Sequence, residues 1–171
     1  KYEFDFLNKL NGMFSFCIYD MKKELYFCAR DRYGKKPFFY YFKEGKFIFS
    51  SSIKSILNLL DYKPNLNKVA VSKYMQYFVS YGEDTFYQDI FKLESSSYMI
   101  YEPRKACELQ KKKYYKINTY KAIKDEKQAL NDIEELLIKS VELRLNSDVE
   151  VASLLSGGID SSLISALYTK I

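Results

Sequence analysis

The sequence contains no histidine among its 171 residues. That absence excludes a Ser-His-Asp triad, a Cys-His pair and any histidine-ligated metal within the chain. Cysteine is scarce as well: Cys17, Cys28 and Cys107 are odd in number and widely spaced. They form no C-x-x-C pair, so neither a disulfide framework nor a zinc ribbon is suggested, and a reduced, intracellular setting is implied. Of 27 basic residues, set against 22 acidic ones for a net charge of +5, only Arg30, Arg32, Arg104 and Arg144 are arginine. Specific phosphate or base recognition favours the bidentate guanidinium, so the basic balance is weak support for a nucleic-acid partner. No apolar run reaches the roughly 18 residues that a membrane helix needs. The chain has no initiator methionine and no signal-peptide pattern at Lys1, and Ile171 stands inside a helical pattern. These two ends together read as an excerpt from a longer polypeptide.

Hydrophobic residues make up 47% of the chain, enough for a packed core. Met13 to Tyr19 alternate with the two-residue period of a strand, and Leu25 to Arg30 follow after a polar turn as its hairpin partner. Phe38 to Phe42 and Lys46 to Ser50 form a second hairpin around Glu44-Gly45. Ile53 to Leu60 take a helical pattern. Asn67 is placed to cap a helix whose apolar side includes Val71, Tyr74, Met75 and Phe78. Ser80 to Asp84 reads as a loop and Tyr98 to Tyr101 as a strand ending before Pro103.

From Pro103 to Asp125 the chain turns polar and lysine-rich. Lys111-Lys112-Lys113 with Tyr114-Tyr115 imitates a single-strand-binding face, but a solvated connector is the simpler reading. Asp125 with Gln128 is a variant of the capping box. It opens a long helix to about Arg144, with Leu130, Ile133, Leu137 and Val141 on one side. Val149 to Leu155 then reads as a strand and Ser161 to Lys170 as a helix. Hairpins first and helix–strand–helix afterwards imply two domains of different class.

The segment Leu154-Leu155-Ser156-Gly157-Gly158-Ile159-Asp160-Ser161-Ser162 concentrates the chemistry. Glycines let backbone N–H groups approach an anion, and a helix start adds free N–H groups and a favourable dipole end. Ser156, Ser161 and Ser162 offer further donors. Asp160 is placed to hold Mg²⁺ beside phosphates. There is no Gly-Lys-Ser/Thr of a Walker loop and no G-x-G-x-x-G. A G-x-S-x-G nucleophile elbow is also absent. The alternative is a tight strand-to-helix turn with Ser161 as N-cap.

This segment resembles the pyrophosphate loop of ATP pyrophosphatases, in the version used by glutamine-dependent asparagine synthetases. Ser147-Asp148-Val149 before it is similar to the same family. So are three stretches of the first half: Leu10-Asn11-Gly12-Met13-Phe14-Ser15-Phe16, then Ala29-Arg30-Asp31-Arg32-Tyr33-Gly34-Lys35-Lys36-Pro37-Phe38-Phe39-Tyr40, then Ser52-Ile53-Lys54-Ser55-Ile56-Leu57. They resemble the second half of the family's class II glutamine amidotransferase domain. The chain departs from the family pattern at Glu150 and Ala152, and near Glu94 to Ser97, without losing a phosphate-binding group.

The resemblance implies an α+β amino-terminal part, an Ntn-type layered antiparallel sheet. The start of an α/β parallel-sheet nucleotide-binding domain follows it. Residues 1–105 would be the carboxy-terminal part of the amidotransferase domain, 106–124 a linker, and 125–171 the start of the ATP-pyrophosphatase domain. It implies an amide-forming ligase of amino-acid biosynthesis. Glutamine is hydrolysed to ammonia, and aspartate becomes asparagine through an acyl-adenylate, with release of AMP and pyrophosphate. ATP and Mg²⁺ are the implied cofactors. Leu155, Ser156, Gly157, Gly158, Asp160, Ser161 and Ser162 would bind the nucleotide, with Asp160 toward the metal.

The implied substrates are small molecules, in the cytoplasm, with no nucleic acid or membrane partner and room for a homodimer. The family's nucleophile is an N-terminal cysteine, which Lys1 does not supply, so no catalytic residue is expected within these residues and the isolated chain is expected to be inactive. Cys17 and Cys28 then read as small buried hydrophobes. Arg30, Asp31 and Arg32 read as an ion-paired turn, with a substrate clamp as the alternative. Met13 reads as core, with an ammonia passage as the alternative. Related amidation of another carboxylate, for example in surface polysaccharide synthesis, and a non-catalytic interaction domain remain as other functions.

Overall fold

The computed structural model describes residues 4–104, 109–119 and 125–171. The chain divides into two compact units, one ending at Ile117 and the other beginning at Asn118.

In the first unit a short 3-10 turn, Asp5–Lys9, precedes β1 (Ser15–Asp20) and β2 (Leu25–Arg30). These strands join β6 (Ser97–Tyr101) and β7 (Leu109–Lys113) in an antiparallel sheet of order β1-β2-β6-β7. A second antiparallel sheet, of order β4-β3-β5, is built from β3 (Phe39–Lys43), β4 (Lys46–Ser50) and β5 (Ile90–Lys92). The β3–β4 turn is Glu44-Gly45, with both residues at positive φ (51° and 75°), the geometry that matches the twist of a tight hairpin.

Alternation along each strand sorts the core. On β2, Phe27 and Ala29 face one side with Leu7, Tyr98 and Ile100, and the 3-10 segment covers them. Cys28 faces the other side, where Met99 of β6 meets Phe38, Tyr40 and Leu93 from the region of the second sheet. On β3, Tyr41 turns outward to Ile90 and to Ile56 of α1 (Ile53–Asn58). The order of layers is therefore 3-10 turn, four-stranded sheet, three-stranded sheet, helix. Each large buried side chain in such a core contributes about 1.5–3 kcal/mol.

Two strands carry no sequence signal of their own. β5 is three residues long, and β7 is the polar run Leu-Gln-Lys-Lys-Lys within the stretch read as linker 106–124. β7 pairs residue by residue with the fully buried β6. Its exposed lysines discourage further pairing at that edge.

Asn67 caps α2 (Lys68–Tyr77), accepting the Ala70 N–H at 3.1 Å. The apolar side expected to be buried is not: Met75 is 71% and Phe78 80% exposed, and only Ala70 is buried. On this face Tyr74 makes an edge contact with Phe86. Periodicity marks an apolar stripe but cannot say that a partner lies against it.

In the second unit Asp125 caps α3 (Glu126–Leu145), accepting from Lys127 and Gln128 N–H groups. α4 (Ile159–Lys170) follows an irregular segment. The strand expected over Val149–Leu155 is not formed, because no strand among the described residues of this unit supplies the ladder it needs. The two helices pack on each other, and Lys170 pairs with Glu134 at 3.7 Å. No helix among the described residues is long and apolar enough to cross a membrane.

Candidate functional site

The Arg30-Asp31-Arg32 turn is held by backbone hydrogen bonds rather than by the expected ion pairs. Asp31 is almost fully buried. Its Oδ1 accepts the N–H groups of Tyr33 (3.1 Å) and Lys35 (3.0 Å), and its Oδ2 that of Lys36 (3.0 Å). Burial pushes this carboxyl up, but the N–H groups of Lys36, Lys35, Tyr33 and Phe14 outweigh it and hold the group below the ordinary carboxylate range.

Arg30 spends its guanidinium on three carbonyls: Lys36 from Nε (2.7 Å), Leu93 from Nη1 (2.6 Å) and Gly34 from Nη2 (2.7 Å). Gly34 has φ +64°, and a Cβ there would lie 3.2 Å from Arg30 Cζ and from Ser95 Cβ. The close approach and the left-handed backbone both favour glycine. Arg32 donates to the Asn8 carbonyl at 2.7 Å and lies over the Tyr115 ring at 5.0 Å. These side chains staple β2 to its surroundings.

The lysine–tyrosine run is committed in the same way. Lys111 contacts Glu83 and Tyr40, Lys113 pairs with Glu94 at 3.1 Å, and Tyr114 donates to the Arg30 carbonyl at 3.0 Å. Met13 is 62% exposed, so it is not core. It lines an open hollow of about 420 Å³ with Phe14, Phe16 and Pro37. Cys28 is buried as expected, but Cys17 is only partly so. Cys107 lies outside the described residues.

The second unit carries the loop. Gly157 has φ +83°, and a Cβ added there would meet nothing within 4 Å, so its backbone borders open space. Gly158, not Ser161, is the N-cap of α4, and no side chain caps the helix. Ser161 and Ser162 instead return their hydroxyls to the Gly158 carbonyl at 3.0 and 2.9 Å. Ser156 Oγ lies 2.9 Å from Ser161 Oγ. Because a hydroxyl has one proton, Ser156 is the donor of that pair.

Leu155 and Ile159 are exposed. Among the described residues the Asp160 carboxylate takes no hydrogen bond or ion pair. It borders a mainly apolar cavity of about 400 Å³, where Val141, Val151, Leu154 and Ile164 stand with Arg144, Ser153, Ser161 and Tyr168. Of loop residues 155–162 only the neighbours Asp160 and Ser161 line it. Arg144, Ser153 and Tyr168 carry no motif signal. Their place follows from α3 packing on α4 and from the Tyr168 hydroxyl donating to the Val151 carbonyl.

The uncapped N–H groups, open glycine backbone and free carboxylate can take an anion and its counter-cation. The layered antiparallel unit agrees with a family match: a model described as glutamine amidotransferase domain covers residues 1–115. The chain belongs to that family. Residues 132–171, which include the loop, match the model described as asparagine synthase.

The chain is 42% identical over 96% of its length to a putative glutamine-hydrolysing asparagine synthetase 2 of Methanocaldococcus jannaschii, covering 32% of that protein. It is 35% identical over 95% of its length to asparagine synthetase 3 of Bacillus subtilis, covering 26%. It is 28% identical over 99% of its length to the amidase chry2 of Gibberella zeae, covering 25%. The chain therefore spans about a quarter to a third of the length of these curated relatives.

Proposed function

We propose that the full-length protein is a glutamine-hydrolysing asparagine synthetase. One domain releases ammonia from glutamine. The other uses ATP to activate the aspartate side chain as an acyl-adenylate, and ammonia then forms asparagine with release of AMP and pyrophosphate. Residues 1–105 contribute the later part of the Ntn-type amidotransferase domain, 106–124 the connector and 125–171 the opening of the parallel-sheet nucleotide-binding domain. The observation that carries this reading is the order of two matches on one chain, amidotransferase at 1–115 and asparagine synthase at 132–171.

The loop suits the role it is given. Open backbone at Gly157, an uncapped α4 start and the unpartnered Asp160 fit a polyphosphate and a magnesium ion. Leu155, Ser156, Gly157, Gly158, Ser161 and Ser162 would hold the phosphates of ATP, and Asp160 the Mg²⁺. Bound there, Mg²⁺ supplies positive charge against the leaving pyrophosphate. The chain's own contribution is the row of N–H groups aimed where that charge develops, the kind of term that dominates such catalysis. A cytoplasmic enzyme acting on small molecules, with no catalytic nucleophile among residues 1–171, follows from the same reading.

A second reading is ATP-dependent amidation of a different carboxylate, such as one on a surface sugar. It is favoured by the relative named an amidase, which aligns over the same length. Assay of the full-length protein with ATP, ammonia and candidate carboxylates tests both. Aspartate-dependent formation of AMP, pyrophosphate and asparagine is the expected result. ATP turnover with another carboxylate only selects the second reading, and no carboxylate-dependent turnover overturns both in favour of a non-catalytic module.

A further inference from the structure

Cys17 of β1 and Cys28 of β2 stand directly opposite each other in the antiparallel register. The kind of pair they form follows from the ladder. The Asp31 N–H donates to the Phe14 carbonyl at 2.9 Å, which makes Phe14 and Asp31 a hydrogen-bonded pair on the same register. Pair types alternate along such a ladder, so Cys17–Cys28, three positions on, is a non-hydrogen-bonded pair. Pairs of that type hold their Cα atoms at about 4.5 Å and their side chains close together. A disulfide spans roughly 4.4–6.8 Å between Cα atoms. Two positions along the same face, Tyr19 and Tyr26 are the next pair of this type, with ring centroids 4.7 Å apart.

Both cysteines are free thiols. A hydrogen bond with Cys28 holds the Cys17 thiol below its ordinary value despite burial, whereas the hydrogen bond with Cys17, together with burial, raises Cys28. The two therefore differ: Cys17 is partly exposed and the better thiolate, and Cys28 is fully enclosed.

We infer that Cys17 and Cys28 are a redox pair that closes into a reversible cross-strand disulfide under a low-molecular-weight disulfide oxidant. The Cys17 thiolate attacks one sulfur of the oxidant and expels one thiolate. Cys28 then gives up its proton as its sulfur attacks the Cys17 sulfur of the mixed disulfide, and the second thiolate is expelled and takes up a proton. Two protein thiols lose their protons and are oxidised by two electrons, and the oxidant is reduced to two thiols. The product staples β1 to β2, the strand that leads into the Arg30–Asp31 turn.

The test uses the full chain carrying Cys107→Ser, equilibrated in mixtures of reduced and oxidised glutathione, acid-quenched, alkylated under denaturing conditions and peptide-mapped. The expected product is a cross-linked peptide pair containing Cys17 and Cys28, reversed by dithiothreitol and absent from Cys17→Ala and Cys28→Ala. The same equilibration in urea separates native geometry from mere nearness in sequence. The folded chain should favour the disulfide by roughly tenfold or more, about 30 mV for two electrons. Equal or lower oxidation in the folded chain overturns the inference. So does full alkylation of both residues in the most oxidising mixture, or a stable glutathione adduct on Cys17 with Cys28 still reduced.

Discussion

Ser161 Oγ donates a hydrogen bond to the carbonyl of Gly158, three residues earlier, at 3.0 Å. The hydroxyl that the sequence offers to a ligand is thus already used inside the loop, which leaves the backbone N–H groups as the ready anion donors. Ser161→Ala in the full-length protein should therefore raise the KM for ATP in ammonia-dependent synthesis by less than about tenfold, the equivalent of one neutral hydrogen bond. A loss near a thousandfold would mean that the hydroxyl turns onto the nucleotide.

Asp160→Asn should act differently. It removes the loop's carboxylate but keeps the glycine backbone, so ATP binding should persist while amide synthesis falls by ~10²–10³. Glutamine hydrolysis should be largely intact, and free ammonia should not rescue synthesis. Parallel glutaminase and synthetase assays read both. Normal ammonia-dependent synthesis would reduce the loop to a structural turn.

Asp31 links stability to pH. Its folded-state carboxyl is held below the ordinary value, so the unfolded chain binds its proton first as pH falls. The stabilisation is fully present above about pH 4, the unfolded carboxylate value, and is lost as pH drops through the lower folded value. Asp31→Asn removes this dependence. Urea denaturation from pH 7 to pH 3 should show the wild-type advantage shrinking toward acid, and a constant difference would refute the assignment.

Gly34→Ala should destabilise the protein by about 1–3 kcal/mol, the typical strain of a left-handed non-glycine residue, with a further loss where the Cβ meets Arg30 Cζ and Ser95 Cβ at 3.2 Å. Thermal or urea unfolding measures it. Gly45→Ala, where a Cβ would meet nothing within 4 Å, provides the comparison: its deficit should come from backbone strain alone and be smaller.

Local patterns in the chain specify much of this protein. Alternating aromatics define β1 to β4 and β6, Asn67 and Asp125 mark the starts of α2 and α3, and the Ser-Gly-Gly-Ile-Asp-Ser-Ser run marks the loop, because each depends on neighbours within a few residues. Tertiary structure decided the rest. β5 and β7 have no apolar alternation and exist because β3 and β6 offer them open edges. Arg30 and Asp31 look like an ion pair in sequence, yet their partners are carbonyls and N–H groups that the fold brings to them, including Leu93, 63 residues away. The stripe on α2 is legible but its exposure is not, since periodicity carries no record of what lies opposite. Cys17 and Cys28 show no motif at their spacing. Only the register of β1 against β2 sets one thiol across from the other, because pairing between strands is a property of the ladder and not of either strand alone.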